Sequence, residues 1–105
     1  RDVEDFVRIN AANLYHTLSH RYLYESREQN IRMLPFCYKG CFYILMNLTY
    51  LRTGEILSTR TELLGRLFGD DRAVLETAMG KSPVTEENFQ EKFSLLLSWC
   101  RGLLR

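Results

Sequence analysis

The sequence predicts an all-α fold: an up-down helical bundle of three long and two short helices. Apolar residues recur at spacings of three and four through most of the chain. No segment alternates with period two for long, and no hairpin dipeptide separates β-branched runs.

The first helix is expected from about Asp2 to Ser26. Val3, Val7, Ala11, Leu14, Leu18 and Tyr22 form one apolar stripe, and Asp2, Glu4 and Asp5 stand where the positive end of the helix dipole favours carboxylates. Ile9, Ala12, His16, His20 and Leu23 fall on a second, weaker stripe away from the first. A helix with two semi-apolar faces is either covered twice or covers something outside this chain. The second helix, from about Arg32 to Arg52, is the apolar centre, with Phe36, Tyr38, Cys41, Phe42, Ile44, Leu45, Leu48 and Leu51. Pro35 limits its start, because proline is tolerated in the first turn, where backbone N–H groups have no intrahelical partner. Its apolar positions run nearly all the way round, as expected of the innermost helix. Gly54 supplies the left-handed residue that ends it.

A short third helix starts at Ser58 or Thr59, where Thr59-Arg60-Thr61-Glu62 has the spacing of a capping box, and it stops before Gly69. Asp70 or Asp71 caps a fourth, which ends near Gly80 and Lys81. Ser82-Pro83 separates it from the last helix, whose Thr85-Glu86-Glu87 opening puts carboxylates in the first turn. There Phe89, Phe93, Leu96, Leu97, Cys100, Leu103 and Leu104 form a stripe, with Leu95 and Trp99 off it. The two short helices form an elaborated crossover. No repeat or linker divides the chain, so residues 1–105 are read as one helical domain.

A chain of 105 residues buries about two-thirds of the surface its unfolded form exposes, enough for a core without staples. Fourteen Lys and Arg against thirteen Asp and Glu leave a net +1 with the signs interspersed, which lends no support to nucleic acid or an anionic membrane as partner. The uncharged stretch from Gly40 to Leu51 falls short of the ~20 residues a bilayer demands. Three cysteines are an odd number, which points to a reducing, cytoplasmic setting rather than a secreted disulfide framework. The chain opens on Arg1 without an initiator Met or a signal peptide, and is expected to be cut from a longer protein.

His16 and His20 are four apart, as are Cys37 and Cys41, a spacing that zinc ligands use. A joint site needs both pairs to converge at ligand distances of about 2 Å, and the cysteines have a ready role as small core residues, so no metal is assigned. The histidines fit either a solvated polar face or an interface with the rest of the protein. No nucleophile elbow and no phosphate-cradling loop is present. The acidic pairs Glu4-Asp5, Asp70-Asp71 and Glu86-Glu87 stand where helix N-termini favour them. The chain therefore carries no complete active site and no catalytic residue.

Thr53-Gly54-Glu55-Ile56-Leu57-Ser58 closes a long apolar helix and precedes a short amphipathic one. This stretch resembles the helical C-terminal domain of aminoglycoside nucleotidyltransferases, especially the streptomycin/spectinomycin adenylyltransferase type. More broadly it is similar to the HEPN-type helical domains that accompany nucleotidyltransferase folds. Thr59 and Gly65 stand where the adenylyltransferases tend to have a Lys and a Trp. The resemblance implies an accessory domain that closes a cleft over a small-molecule acceptor. An upstream nucleotidyltransferase domain would hold Mg²⁺ and a nucleoside triphosphate, and this domain itself would need no cofactor. Substrate contacts are then expected from Tyr50, Glu55, Arg60 and Glu62, and docking contacts from Ile9, His16, His20, Leu23 and Trp99. The alternative is a helical protein-interaction or dimerisation module, a homodimer among its forms, without a small-molecule site. A HEPN-type ribonuclease is disfavoured, because its closely spaced Arg-His pair is missing: Arg8 precedes His16 by eight positions.

Overall fold

Capping chemistry sets the helix boundaries in the computed structural model, which describes residues 2–105. The helices are α1 (Asp2–Tyr24), α2 (Arg27–Lys39), α3 (Cys41–Thr53), α4 (Arg60–Leu64), α5 (Gly69–Ala78) and α6 (Phe89–Leu103), and no strand occurs among the described residues. The all-α bundle expected from the periodicity is present. None of the described helices is long and apolar enough to cross a membrane.

The central helix begins earlier than Pro35 suggested. Ser26 is an N-cap in a complete capping box: its hydroxyl accepts from the Gln29 N–H, and the Gln29 side chain accepts from the Ser26 N–H. Two orphan donors are thereby satisfied, and Pro35 sits well inside α2 instead of in its first turn. Buried Leu34 and Tyr38 on either side of it hold the helix together despite the missing N–H. The interruption comes at Gly40, which ends α2 and opens α3. The central helix is also less enclosed than expected, since Phe36, Tyr43 and Leu51 reach solvent.

α2 and α3 together run antiparallel to α1. Near one end the Asn30 side chain donates to the Arg21 carbonyl at 3.2 Å, and near the other Val3 lies beside Met46 and Tyr50. α5 returns against α2 and α3, with Arg52 paired to Asp71. α6 then runs down between α5 and α1, with Trp99 bonded to Asp71 and Phe93 packed 4.9 Å from Tyr22. The result is an up-down-up-down arrangement in which α5 forms a wall of the bundle, so that only α4 belongs to the crossover.

The core joins Val7, Leu18, Leu34, Tyr38, Leu45, Leu63, Val74, Leu75, Phe93 and Leu96. One polar knot lies inside it. The Tyr38 hydroxyl donates to the Lys92 carbonyl at 2.7 Å, and the buried Lys92 Nζ donates to Thr77 Oγ1 at 2.9 Å and Ser82 Oγ at 2.8 Å. α2, α5, α6 and the α5–α6 connection are tied together at this point.

Two glycines test the boundary argument in opposite directions. Gly40 has φ −73°, and nothing lies within 4 Å of where a Cβ would stand, so Gly40→Ala stabilises by about 0.5–1 kcal/mol through the unfolded chain. Gly54 has φ +78°, and Gly54→Ala costs about 1–2 kcal/mol. Urea denaturation of both variants checks the signs.

Candidate functional site

The chain turns a corner between α3 and α5, and the corner is built from short-range chemistry. The Gly54 N–H donates to the Tyr50 carbonyl at 2.8 Å, closing α3 with a left-handed residue. Thr53 Oγ1 donates to the Thr49 carbonyl and accepts from the Glu55 N–H at 3.1 Å, which aims the chain outward. Leu57 anchors the bridge in the core while its neighbour Ile56 stays in solvent. Thr59 then caps α4: its hydroxyl accepts from the Glu62 N–H at 3.2 Å and donates to Glu62 Oε1 at 3.1 Å.

Inside this corner lies a cleft of about 390 Å³, lined by Thr49, Arg52, Thr53, Arg66, Leu67, Phe68 and Asp71. Buried Thr49 and Leu67 belong to its inner wall, and Phe68, 84% exposed, stands as an aromatic flap at the rim. The rim charges pair off. Arg52 Nη1 lies 2.7 Å from Asp71 Oδ2, while Asp71 Oδ1 accepts from Trp99 Nε1 at 2.8 Å. Arg66 grips Glu55 with two parallel bonds, Nε to Oε1 and Nη2 to Oε2, each 3.0 Å. The Arg66 hydrogen bonds hold the Glu55 carboxyl below the ordinary glutamate value.

The residues expected to contact a substrate do not meet in one place. Glu55 reaches the cleft rim through Arg66. Tyr50 lines a separate cavity of about 280 Å³ with Val3, Met46, Asn47 and Ile56. The Arg60 guanidinium stacks over the Phe42 ring, 4.9 Å from its centroid, and the Glu62 carboxylate accepts from the Thr59 cap. The cleft residues that sequence reading missed are Thr49, Arg52, Arg66, Phe68 and Asp71. Asp71 had an adequate account as a helix-start carboxylate, and the others are far enough apart in the chain that only the corner brings them together.

Of the expected docking residues, Ile9, His16, His20 and Leu23 all stand exposed on the outer face of α1. The His20 ring lies 6.4 Å from that of His16 and 4.7 Å from Tyr24. Trp99 requires a correction: it is 6% exposed and packs inward, where its indole N–H donates to Asp71 across the bundle. The histidines point out while Cys41 is fully buried, and the two pairs do not converge; among the described residues no group of three metal-ligating side chains forms.

Thr53 hydrogen-bonds to backbone, and no Cys or His lines the cleft. Burial holds the cysteines toward the neutral thiol: it raises Cys37, which the nearby Arg21 charge only partly offsets, and it pushes Cys100 up to about 12 and Cys41 further. No family model, curated protein or solved structure matches this chain.

Two measurements check these assignments. With Ellman's reagent at pH 8 the native protein releases at most one equivalent slowly, from half-buried Cys37, and all three cysteines react after unfolding. In a carboxyl NMR titration Glu55 ionises below the ordinary glutamate value. Because its folded pKa is depressed, whatever stability the pair contributes is present at neutral pH and lost as the pH falls through that lowered value. Arg66→Gln returns Glu55 to the ordinary range.

Proposed function

We propose that this chain is an accessory, acceptor-binding helical domain of a nucleotidyltransferase-fold protein. The observation that carries the reading is the corner cleft, whose rim cations are already paired with carboxylates. A triphosphate would find no free arginine there, whereas a polar, ring-containing acceptor would find apolar walls, hydroxyls and the Phe68 face. The resemblance carried by Thr53 to Ser58 points the same way.

Geometry at this end of the bundle adds support. The first turn of α1 lies beside Tyr50 and Ile56, so a polypeptide joined ahead of it would enter at the end where the cleft opens. Such a domain would supply the second wall, the nucleotide and Mg²⁺. The cleft itself does not suit Mg²⁺, since Asp71 is committed to Arg52 and Trp99 and Glu55 to Arg66. The role of this chain is then orientation: holding an acceptor hydroxyl in line with the α-phosphate replaces a bimolecular encounter by a positioned one.

A second reading, a protein-interaction module without a small-molecule site, is favoured by one observation, the uncovered outer face of α1.

An amide NMR titration of the chain with spectinomycin separates the two. The acceptor reading expects shifts confined to Thr49, Arg52, Arg66, Phe68 and Asp71, weakened at least fivefold by Phe68→Ala. Absence of shifts at these positions up to about 10 mM overturns it for this acceptor class, about 3 kcal/mol being the least a site of this kind must supply. The sequence ahead of Arg1 offers an independent check, since a Gly-Ser pair followed by Asp-x-Asp belongs to the nucleotidyltransferase reading.

A further inference from the structure

We propose that the groove between α1 and the α2–α3 joint binds a purine mononucleotide, an adenylate in preference to a guanylate. The site is separate from the corner cleft and rests on neither reading above.

The groove is a cavity of about 250 Å³, bounded by Asn10, Asn13 and Thr17 on α1 and by Phe36 and Gly40 on the other side. Spacings of three and four put Asn10, Asn13 and Thr17 on one face of α1. Asn and Thr are weak helix formers, so three of them inside one helix cost stability that a solvated face of Lys and Glu would not. They also keep the face neutral and rich in hydrogen-bonding groups. Across from this row the central helix is interrupted at Gly40, where nothing lies within 4 Å of the place a Cβ would take. A ligand can therefore approach the backbone there.

Phe36 is 60% exposed, and Lys39 Nζ stands 5.1 Å from the centroid of its ring. Lys39 takes part in no ion pair among the described residues, and no carboxylate lines the cavity. An aromatic surface beside an uncompensated ammonium suits a stacking ring that carries one anionic group. The α1 row selects the ring. Asn10 Nδ2 donates to the Phe6 carbonyl at 2.8 Å, which fixes that carboxamide and leaves its Oδ1 as an acceptor. The Asn13 carboxamide is exposed and unpartnered among the described residues, so it can both donate and accept. That is the complement of the amine and adjacent ring nitrogen of adenine; guanine presents two acceptors on the same edge, which call for Arg or Lys. Thr17, one turn further on, is left for the sugar hydroxyls. A single ammonium matches a single phosphate, which fits a mononucleotide and gives a nucleic-acid strand no further contact.

Amide and carboxamide NMR titrations of the chain with adenosine monophosphate, guanosine monophosphate, adenosine and inorganic phosphate test the proposal. Adenosine monophosphate is expected to shift Asn10, Asn13, Phe36 and Gly40 with a dissociation constant of about 0.1–1 mM. Guanosine monophosphate and adenosine each bind about fivefold or more weakly, the first for want of the Asn13 pairing and the second for want of the phosphate. Asn13→Ala abolishes the preference for the adenylate over the guanylate, and Lys39→Gln abolishes the preference for the nucleotide over adenosine while leaving adenosine binding unchanged. A merely structural role would weaken every ligand alike. Phe36→Ala weakens all three ring-bearing ligands about tenfold, with helix content by circular dichroism unchanged because the position is exposed. Absence of shifts at these positions up to about 10 mM adenosine monophosphate overturns the proposal, as do shifts gathered instead at Thr49, Phe68 and Asp71 of the corner cleft. Inorganic phosphate that reproduces the whole pattern overturns recognition of the ring. A short oligoadenylate that binds more than about tenfold tighter than the mononucleotide overturns the assignment to a free nucleotide.

Discussion

The bond from the Tyr38 hydroxyl to the Lys92 carbonyl is the constraint on which the bundle's arrangement depends. It lies where α2, α5 and α6 meet, and Lys92 extends it by donating to Thr77 and Ser82. A buried ammonium needs its donors filled, and here neutral hydroxyls on two other segments fill two of them. Apolar packing alone would tolerate rotations and slips of these helices, since hydrophobic contacts have little direction. The knot has direction, so it fixes the register in which α5 returns and α6 descends.

With that register set, the opposite end of the bundle is free to be irregular. Asp71 at the start of α5 arrives beside Arg52 at the end of α3 and beside Trp99 in α6, and this three-way junction closes one side of the corner cleft. The other side is held by the Glu55–Arg66 fork across the bridge. Both pairs are solvent-accessible and contribute little to stability. Their consequence is electrostatic: they leave a hollow with an aromatic edge and with its rim charges paired. The exposed face of α1 lies on a different side of the bundle from the cleft.

Much of the fold was legible because its signals are local. The α1 stripe of Val7, Ala11 and Leu18, the left-handed stop at Gly54 and the Thr59 cap each act within one or two turns, and each stands where the pattern predicted. The start of α2 is encoded locally too, in the Ser26–Gln29 capping box, which outweighs the one hydrogen bond lost at Pro35. Trp99 and Lys92 were harder. Both are oriented by a partner from another helix, Asp71 in one case and Thr77 in the other, and no periodicity within α6 encodes that.

The sequence by itself determined the helical class, most helix stops and starts, the corner between α3 and α4, and the outward stripe of Ile9, His16, His20 and Leu23. All of these follow from spacing along one helix or from backbone demands at a single residue. Only the tertiary structure decided which polar groups share a cleft. Tyr50, Glu55, Arg60 and Glu62 are close in sequence but diverge around a helix surface and a turn. Thr49, Arg52, Arg66, Phe68 and Asp71 converge because the corner folds α5 back onto the end of α3. Convergence of that kind is set by long-range packing, and side chains on opposite faces of a helix cannot meet however near they lie in the chain.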